Sequence, residues 1–144
     1  ERAGTLPADQ LIELCFSGKY NKQDIKNKIC GKGGLNAHLG TNHIPELVKE
    51  AEEGNEKVAL ILRGMIYGIA KHIGAMSVVL EGKVDAILIT GGIAYSDYCT
   101  SMLREKVEFI APVFIYPGED EMESLAYNAY QAMKGNMVWK EYKG

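Results

Sequence analysis

Hydrophobic residues recur every three or four positions along the longest periodic segment of the chain, from Asn55 to about Glu81. This spacing predicts a helix with one core-facing stripe, made of Val58, Leu62, Met65, Ile69, Ile73, Met76 and Leu80. Gly64, Gly68 and Gly74 lie inside it, and each costs up to about 1 kcal/mol relative to alanine in a helix interior. We therefore expect another element to approach the helix closely at these glycines.

Shorter helices are predicted on the N-terminal side of this segment. Pro7 precedes "ADQLIELCF", which suits a helix with proline at its first turn that ends at the glycine of "SGKY". Asn21 and Asp24 have the spacing of a helix cap, so a second helix is expected through about Cys30. A polar helix is predicted over "IPELVKEAEEG", ending at Gly54.

An alternation of apolar and polar residues marks the segment "GGLNAHLGT". Leu35, Ala37 and Leu39 would fall on one face of an extended chain, and Asn36 and His38 on the other. This period of two predicts a strand, with His38 as a hydrogen-bonded residue of the sheet.

After Gly82 the pattern changes to strand, helix, strand, helix. The short apolar run from Val84 to Ile89 predicts a strand buried on both faces, and "APVFIYP" predicts a second buried strand. Helices are expected over residues 96–105 and from Glu121 to about Met133. Strands that alternate with helices indicate an α/β fold with a mostly parallel sheet covered by helices.

The first of these strands leads directly into a double glycine, Gly91 and Gly92. In open α/β sheets, ligands bind outside the carboxyl ends of the strands, and glycines there let a nucleotide lie against the backbone. A tight turn without a ligand is the simpler alternative. Neither G-x-x-x-x-G-K-[ST] nor G-x-G-x-x-G occurs, so a nucleotide would be bound without these phosphate loops.

Composition narrows the class of protein. With 144 residues, 47% of them hydrophobic and 24% charged, the chain can form one ordinary core, so a single domain is expected. A net charge of −3 and scattered basic residues argue against a nucleic-acid partner. A membrane partner is not expected either, because the long apolar segment is interrupted by Lys57, Arg63, Lys71 and His72.

Cysteine usage favours a reduced, cytoplasmic protein without zinc, since Cys15, Cys30 and Cys99 are odd in number and widely spaced. Neither Ser96 nor Cys99 has a visible base partner in the sequence, so nucleophilic catalysis has no support. No signal peptide is recognisable in the given residues, and the first residue is not methionine, so we expect the N-terminus to have been cut.

Four segments, in this order, resemble the C-terminal part of the acetate and butyrate kinase family: "GKGGLNAHLGTN", "GNEKVALILRGMIYGIAKHIGAM", "GKVDAILITGGIAYS" and "VEFIAPVFIYPGEDEMESLA". The resemblance implies an actin-like ATPase lobe of ribonuclease H-like fold. Residues 1–144 would form the C-terminal, nucleotide-side lobe of a two-lobe kinase, with the N-terminal lobe absent. The implied reaction is phosphorylation of butyrate or a similar short-chain carboxylate by ATP, and the chain alone would be inactive.

Site residues follow from the resemblance position by position. "ITGGIAYS" is similar to the adenosine motif, which implies that Gly91, Gly92, Ile93 and Ala94 contact the adenosine. "ERAGTLP" is similar to the segment with the arginine that contacts the transferred phosphoryl group, which would be Arg2. "PGEDEMESLA" is similar to the segment that helps to hold Mg²⁺, with Glu121 as the best match.

Each of these residues has a simpler interpretation. Arg2 could be a solvated charge, although phosphoryl transfer requires positive charge at the equatorial oxygens. The acidic residues of the run 119–123 could stabilise a helix N-terminus, although Mg²⁺ takes one or two protein carboxylates. His43 and Pro45 stand where relatives usually carry an Asp and an Arg beside the adenine. Because His43 directly precedes a predicted helix, it either caps that helix or contacts adenine.

The implied partners are ATP and ADP, Mg²⁺, a short-chain carboxylate, the absent N-terminal lobe and a second copy in a homo-oligomer. Two alternatives remain open: a nucleotide-binding module without catalysis, and a module for dimerisation. The residues that would measure the length of the carboxylate are expected outside this chain.

Overall fold

A computed structural model describes residues 1–118 and 121–138. The helices are α1 (Ala8–Phe16), α2 (Lys22–Ile29), α3 (Gly34–Leu39), α4 (Ile44–Glu52), α5 (Glu56–Val79), α6 (Asp97–Val107) and α7 (Glu121–Met133). The strands are β1 (Ile87–Gly91) and β2 (Val113–Pro117), and a short 3-10 helix, Gly92–Tyr95, connects β1 to α6. The order strand, helix, strand, helix after Gly82 is confirmed.

Within the described residues the sheet consists of β1 and β2, which run parallel. The register pairs Ile87 with Val113 and Gly91 with Pro117. Parallel neighbours need a crossover connection, and α6 provides it. The two carboxyl ends therefore lie side by side at one edge of the sheet.

Side-chain caps fix the beginnings of three helices. The Asp24 N–H donates to the Asn21 side chain at 2.9 Å, and the Asn21 N–H donates to the Asp24 carboxylate at 3.0 Å. This reciprocal pair is a capping box, and it confirms the predicted start of α2. Asn55 caps α5 and Ser96 caps α6 in the simpler one-sided way. The sequence encodes these boundaries locally, because each cap lies within three residues of the N–H that it accepts.

The core consists of two hydrophobic clusters on the two sides of α5, which packs against both α4 and α6. The first cluster joins α5, the sheet and α6 through Ile66, Ile87, Ile89, Ala94, Cys99, Leu103, Val107 and Ala111. The second joins α3, α4 and α5 through Leu35, Leu47, Val58 and Leu62. Ile44, Val48, Met65 and Tyr98 pack against both clusters and make them continuous.

The segment "GGLNAHLGT" forms helix α3, so the predicted strand was wrong. Leu35 is buried in the second cluster, and Leu39 packs against the same cluster. These leucines are four residues apart, which places them on one face of a helix as well as on one face of a strand. The alternation therefore could not distinguish the two structures. Gly40, with φ of 77°, ends α3 in the left-handed conformation that favours glycine.

The prediction that both strands are buried on their two faces was also wrong. Ile87 and Ile89 are buried, but Leu88 between them is 64% exposed. On β2, Phe114 and Tyr116 are exposed in the same alternating way. In the described part of the chain, helices thus cover one face of the sheet and leave the other open.

The stripe of α5 faces the core only as far as Ile73, since Ile69 and Ile73 are half-buried against the first cluster. Val58, Leu62 and Ile66 are buried, whereas Met76 is 58% and Leu80 is 53% exposed. The expected close approach at the three helical glycines was wrong, because an added Cβ at Gly64, Gly68 or Gly74 would meet no described atom within 4 Å.

By length and composition alone, α5 could cross a membrane, since its most apolar window has a mean hydropathy of 1.3. A core helix passes the same test. Leu62 and Ile66, which are fully buried against other elements of the protein, give the N-terminal half of α5 that role.

Candidate functional site

The turn at Gly91 and Gly92 exposes backbone at the carboxyl end of β1. Gly91 has φ of 77° and ψ of −167°, a conformation that is nearly restricted to glycine. A Cβ added at Gly91 would meet no described atom within 4 Å, and Gly92 is exposed. A flat ligand can therefore approach the peptide groups of this turn without meeting a side chain of the turn itself.

The turn is held in place by the neighbouring strand. The Gly91 N–H donates to the Gly118 carbonyl at 3.1 Å, and the Thr90 hydroxyl donates to the same carbonyl at 3.5 Å. These bonds extend the pairing of β1 with β2 by one residue beyond Pro117. The carboxyl ends of both strands thus form one fixed edge.

Ile93 and Ala94 connect this edge to the core. The Ala94 side chain is buried in the first cluster, and Ile93 is half-buried against that cluster. A ligand at the turn would therefore meet mainly the backbone of Ala94, because its methyl group already lies in the core.

His43 lies at the start of α4 with an exposed side chain. Its Nδ1 is 3.3 Å from the Glu46 carboxylate, and its backbone N–H donates to the Thr41 hydroxyl at 3.1 Å. The imidazole makes no capping hydrogen bond to α4. Ile44, the next residue, packs against the cluster that contains Ala94, so α4 begins on the same core as the glycine turn.

Arg2 combines an exposed side chain with a fixed backbone. The Ala3 N–H donates to the Ile29 carbonyl at 2.9 Å, and Arg2 forms an antiparallel bridge with Cys30. The carbonyl of Glu1 accepts from the N–H groups of Gly31 and Gly33 at 3.0 and 2.9 Å. The first three residues are therefore bound to the loop that precedes α3.

The metal prediction falls largely outside the described residues. Glu121 is the first residue of α7, but its side chain, like Glu119 and Asp120, lies outside the described part. In the ranges that the structure does describe, no group of three or more His, Cys, Asp or Glu side chains is arranged to hold a metal ion.

Cys99 is buried in the first cluster, which also contains Ala94 of the turn. Burial raises the pKa of its thiol, and a hydrogen bond with Ser96 partly opposes this increase. A thiol with a raised pKa is neutral at physiological pH and therefore a poor nucleophile. This agrees with the absence of a base partner in the sequence.

Two open concavities lie away from these residues. One, of about 600 Å³, is lined by residues 104 and 108–113 at the end of α6 and the start of β2. The other, of about 620 Å³, lies between the end of α4 and the start of α5. Neither is lined by a residue of the candidate site.

One feature of the Arg2 region was not identified from the sequence. Gly33 and Gly34 pack directly against the backbone of Arg2 and Ala3. The signal that the sequence offers for it is the double glycine in "GKGG".

Comparison with known proteins places the chain in a family. The profile of the acetokinase family matches residues 2–112. A protein of Bacteroides thetaiotaomicron named probable butyrate kinase is 56% identical over 143 residues, which cover 99% of this chain and 40% of that relative. A probable butyrate kinase of Phocaeicola vulgatus is 55% identical with the same coverage.

The fold agrees with this similarity. The crystal structure of Porphyromonas gingivalis acetate kinase superposes with a TM-score of 0.79 and 20% identity, over 92% of this chain and 39% of that one. The chain thus has an α/β fold with a parallel sheet and helices, which is consistent with the expected actin-like ATPase lobe. It spans about 40% of the length of the curated relatives that it matches. With more than three quarters of its residues inside the family profile, the chain belongs to the acetokinase family.

Proposed function

We propose that this chain is the nucleotide-side, C-terminal lobe of a carboxylate kinase that uses ATP to phosphorylate butyrate or a similar short-chain acid. The observation that carries the proposal is the 56% identity, over almost the whole chain, to a protein named probable butyrate kinase. The open glycine turn at the carboxyl end of β1 supports it, because ligands of open α/β sheets bind at this edge.

In this proposal the turn at Gly91 and Gly92 receives the adenosine. An added Cβ at Gly91 would meet open space, and the buried Ala94 side chain anchors the turn to the core. His43 replaces the usual acidic residue beside the adenine, and its exposed imidazole can supply a polar contact or a stacking surface there.

Arg2 would act on the transferred group. A carboxylate oxygen of the substrate attacks the γ-phosphorus, the bond from phosphorus to the β,γ-bridging oxygen breaks, and the products are the acyl phosphate and ADP. The guanidinium fork of Arg2 can bind two equatorial oxygens, where negative charge is concentrated in the transition state. The exposed side chain on a fixed backbone fits this role.

Mg²⁺ would enter with the nucleotide. It prefers oxygen ligands and usually keeps only one or two protein carboxylates beside the phosphates. Glu121, at the start of α7 and close in sequence to the carboxyl end of β2, is the residue proposed to hold it directly or through water. The bound ion would neutralise charge on the β- and γ-phosphates.

The rest of the active site is proposed to lie in the part of the parent polypeptide that this chain does not span. Residues 1–144 would form one domain, and an N-terminal lobe would supply the carboxylate pocket and the first phosphate contacts. The parent enzyme would be cytoplasmic. This division implies that the 144-residue chain binds nucleotide weakly and turns over no substrate.

Calorimetry with Mg-ATP on this chain, and an acyl-hydroxamate assay on the full-length parent, test the two halves of the proposal. In the parent, Gly91→Ala should raise the Kd for ATP about tenfold, since a Cβ would stand where the ligand meets the backbone. Gly82→Ala is the matched control, because Gly82 has φ of 73° and open space but lies beyond the end of α5. It also places an alanine at a positive φ and should leave the Kd unchanged.

Three results would contradict the proposal: acyl phosphate formation by the 144 residues alone, no kinase activity in the parent, or equal effects of the two glycine substitutions on ATP affinity. The first would overturn the division between lobes. The second would favour a nucleotide-binding module without catalysis. The third would remove the turn from the nucleotide site.

Assembly is a second candidate role, favoured by the exposed apolar residues at the end of α5. Met76, Val78, Val79 and Leu80 are all more than half exposed. A second copy of the parent could cover them, and nucleotide binding and pairing can coexist in one lobe. Light scattering of the parent at several concentrations tests this, and a mass that stays at the monomer value would exclude it.

A further inference from the structure

The backbone of Arg2 lies against two glycines that leave no room for a side chain. A Cβ added at Gly33 would be 2.5 Å from the Lys28 carbonyl oxygen and 2.7 Å from the Ala3 nitrogen. These neighbours are backbone atoms, so they cannot rotate away as a side chain could. Gly33 has φ of −90°, which any residue adopts, and its requirement for glycine is therefore purely steric.

Gly34 adds a second constraint from the same direction. A Cβ there would be 2.5 Å from the Arg2 carbonyl oxygen, and its φ of 53° is a conformation that favours glycine. By contrast, Gly31 in the same loop and Gly40 at the other end of α3 have open space around an added Cβ. The close packing is thus specific to the pair that contacts Arg2.

Hydrogen bonds hold the loop and the first residues together. The Gly33 N–H donates to the Glu1 carbonyl, and the Ala3 N–H donates to Ile29 at the end of α2, so Arg2 is fixed on both sides. The Asn36 side chain donates to the Gly31 carbonyl at 2.9 Å and ties the loop to α3. Because α3 packs through Leu35 into the second cluster, the position of Arg2 is connected to the core.

We propose that Gly33 and Gly34 are positioning residues that set the place of the Arg2 backbone, and through it the reach of the guanidinium to the transferred phosphoryl group. This inference rests on the proposed function, since it requires that Arg2 acts in catalysis. The Arg2 side chain has many conformations, but all of them start from its Cα. A displacement of the Cα therefore shifts the whole set of positions that the guanidinium can reach. Misplacement of a catalytic group by about 1 Å can cost about 100-fold in rate.

Gly33→Ala in the full-length parent, numbered as here, tests the inference. The methyl group forces the loop and the Arg2 segment apart without any cost in φ. We expect kcat to fall about 100-fold. The KM for ATP should change by less than about twofold, because an interaction made mainly in the transition state is weakened while nucleotide binding is kept.

Gly40→Ala and Val107→Ala are the controls for general destabilisation. Gly40→Ala strains the far end of the same helix in open space, and Val107→Ala removes a buried side chain from the first cluster, which does not include α3. Both should lower the melting temperature and leave kcat within about twofold of the parent value. Asn36→Ala is a milder test of the same inference, because it removes only the hydrogen bond from the Asn36 side chain to the Gly31 carbonyl. We expect kcat to fall about threefold to tenfold with an unchanged KM for ATP. It carries the test if Gly33→Ala does not fold.

A double-substitution cycle with Arg2→Ala separates this inference from the proposed function. If the glycines act through Arg2, Gly33→Ala or Asn36→Ala should change kcat by less than about twofold in an Arg2→Ala background. An Arg2→Ala enzyme with normal kcat would overturn the role of Arg2 and this inference together. If Arg2→Ala lowers kcat, the role of Arg2 stands and the loop substitutions decide the inference. The inference is overturned if Gly33→Ala and Asn36→Ala leave kcat unchanged, or if they lower it equally with and without Arg2→Ala.

Discussion

Two regions of this chain carry similar apolar residues but bury them very differently. The packed region, formed by α3 to α6 and the inner face of the sheet, contains Leu62, Ile66 and Val107 with almost no exposed surface. The open region consists of the outer face of the sheet, the end of α5 and helix α7. There Leu88, Val79 and Met122 are each more than 60% exposed.

The open region has the patterning of surfaces that are normally covered. Leu88, Phe114 and Tyr116 project from one face of the sheet, and α7 carries Met122, Leu125, Tyr130 and Met133 along its length. Large contiguous apolar surfaces mark interaction sites in most proteins. Since the chain spans about 40% of the length of its relatives, we expect the remainder of the parent polypeptide to cover much of this region.

The largest expected effect is the contrast between a packed and an open side chain of α5. Leu62→Ala should lower the free energy of unfolding by about 3–5 kcal/mol, because it leaves a cavity in the core. Val79→Ala in the same helix should cost under about 0.5 kcal/mol. Urea denaturation of the 144-residue chain measures both, and similar losses would mean that the two regions do not differ in packing.

A second experiment sharpens the comparison by adding the rest of the polypeptide. Leu88→Ala should cost under about 0.5 kcal/mol in this chain, where Leu88 is exposed. In the full-length parent the same substitution should cost about 2 kcal/mol or more if the outer face of the sheet is covered there. Denaturation of both proteins gives the difference, and equal small losses would show that this face stays open.

A smaller effect is expected at the glycines on the open side of α5. Gly64→Ala should stabilise this chain by up to about 1 kcal/mol, because alanine is the better helix former and its Cβ has open space. The melting temperature in calorimetry reports the sign. If Gly64→Ala stabilises the isolated chain but weakens a dimer of the parent, a second copy approaches the helix at this glycine.

The smallest effect concerns the pH dependence of the packed region. Because burial raises the pKa of Cys99, the folded chain keeps a proton that the unfolded chain loses as the pH rises through its ordinary range near 9.0. Stability from this group is therefore complete well below that range and falls as the pH rises, so it should be lower at pH 9 than at pH 8.

Denaturation at both pH values checks this, with Cys99→Ala as the control that should lack the contribution. A thiol reagent should also modify the exposed Cys15 and Cys30 in the native state before it reaches Cys99. A Cys99→Ala variant with the same alkaline loss of stability would assign the effect to another group.

Local signals in the sequence were sufficient for most of the helices. The capping box at Asn21 and Asp24 predicted α2, and the proline and glycine that flank α1 predicted its position. The strand at 35–39 was wrong because Leu35 and Leu39 satisfy both periods, and only the packing of α3 against α4 and α5 selects the helix.

The candidate site divides in the same way. The double glycine after an apolar strand pointed to an open backbone at Gly91, because a residue type that permits an unusual conformation can be read from one position. The packing of Gly33 and Gly34 on Arg2 could not be read in this manner. This contact joins segments some thirty residues apart, and no residue pattern in either segment indicates that the two pack together.

By itself, the sequence determined where helices begin, which residues are apolar and which family the chain resembles, since these depend on near neighbours and on residue identity. The tertiary structure alone decided which apolar residues are buried and what holds Arg2. Burial depends on which surfaces pack together and not on the residue type. A leucine is therefore buried in the packed region, as Leu62 is, and exposed in the open region, as Leu88 is.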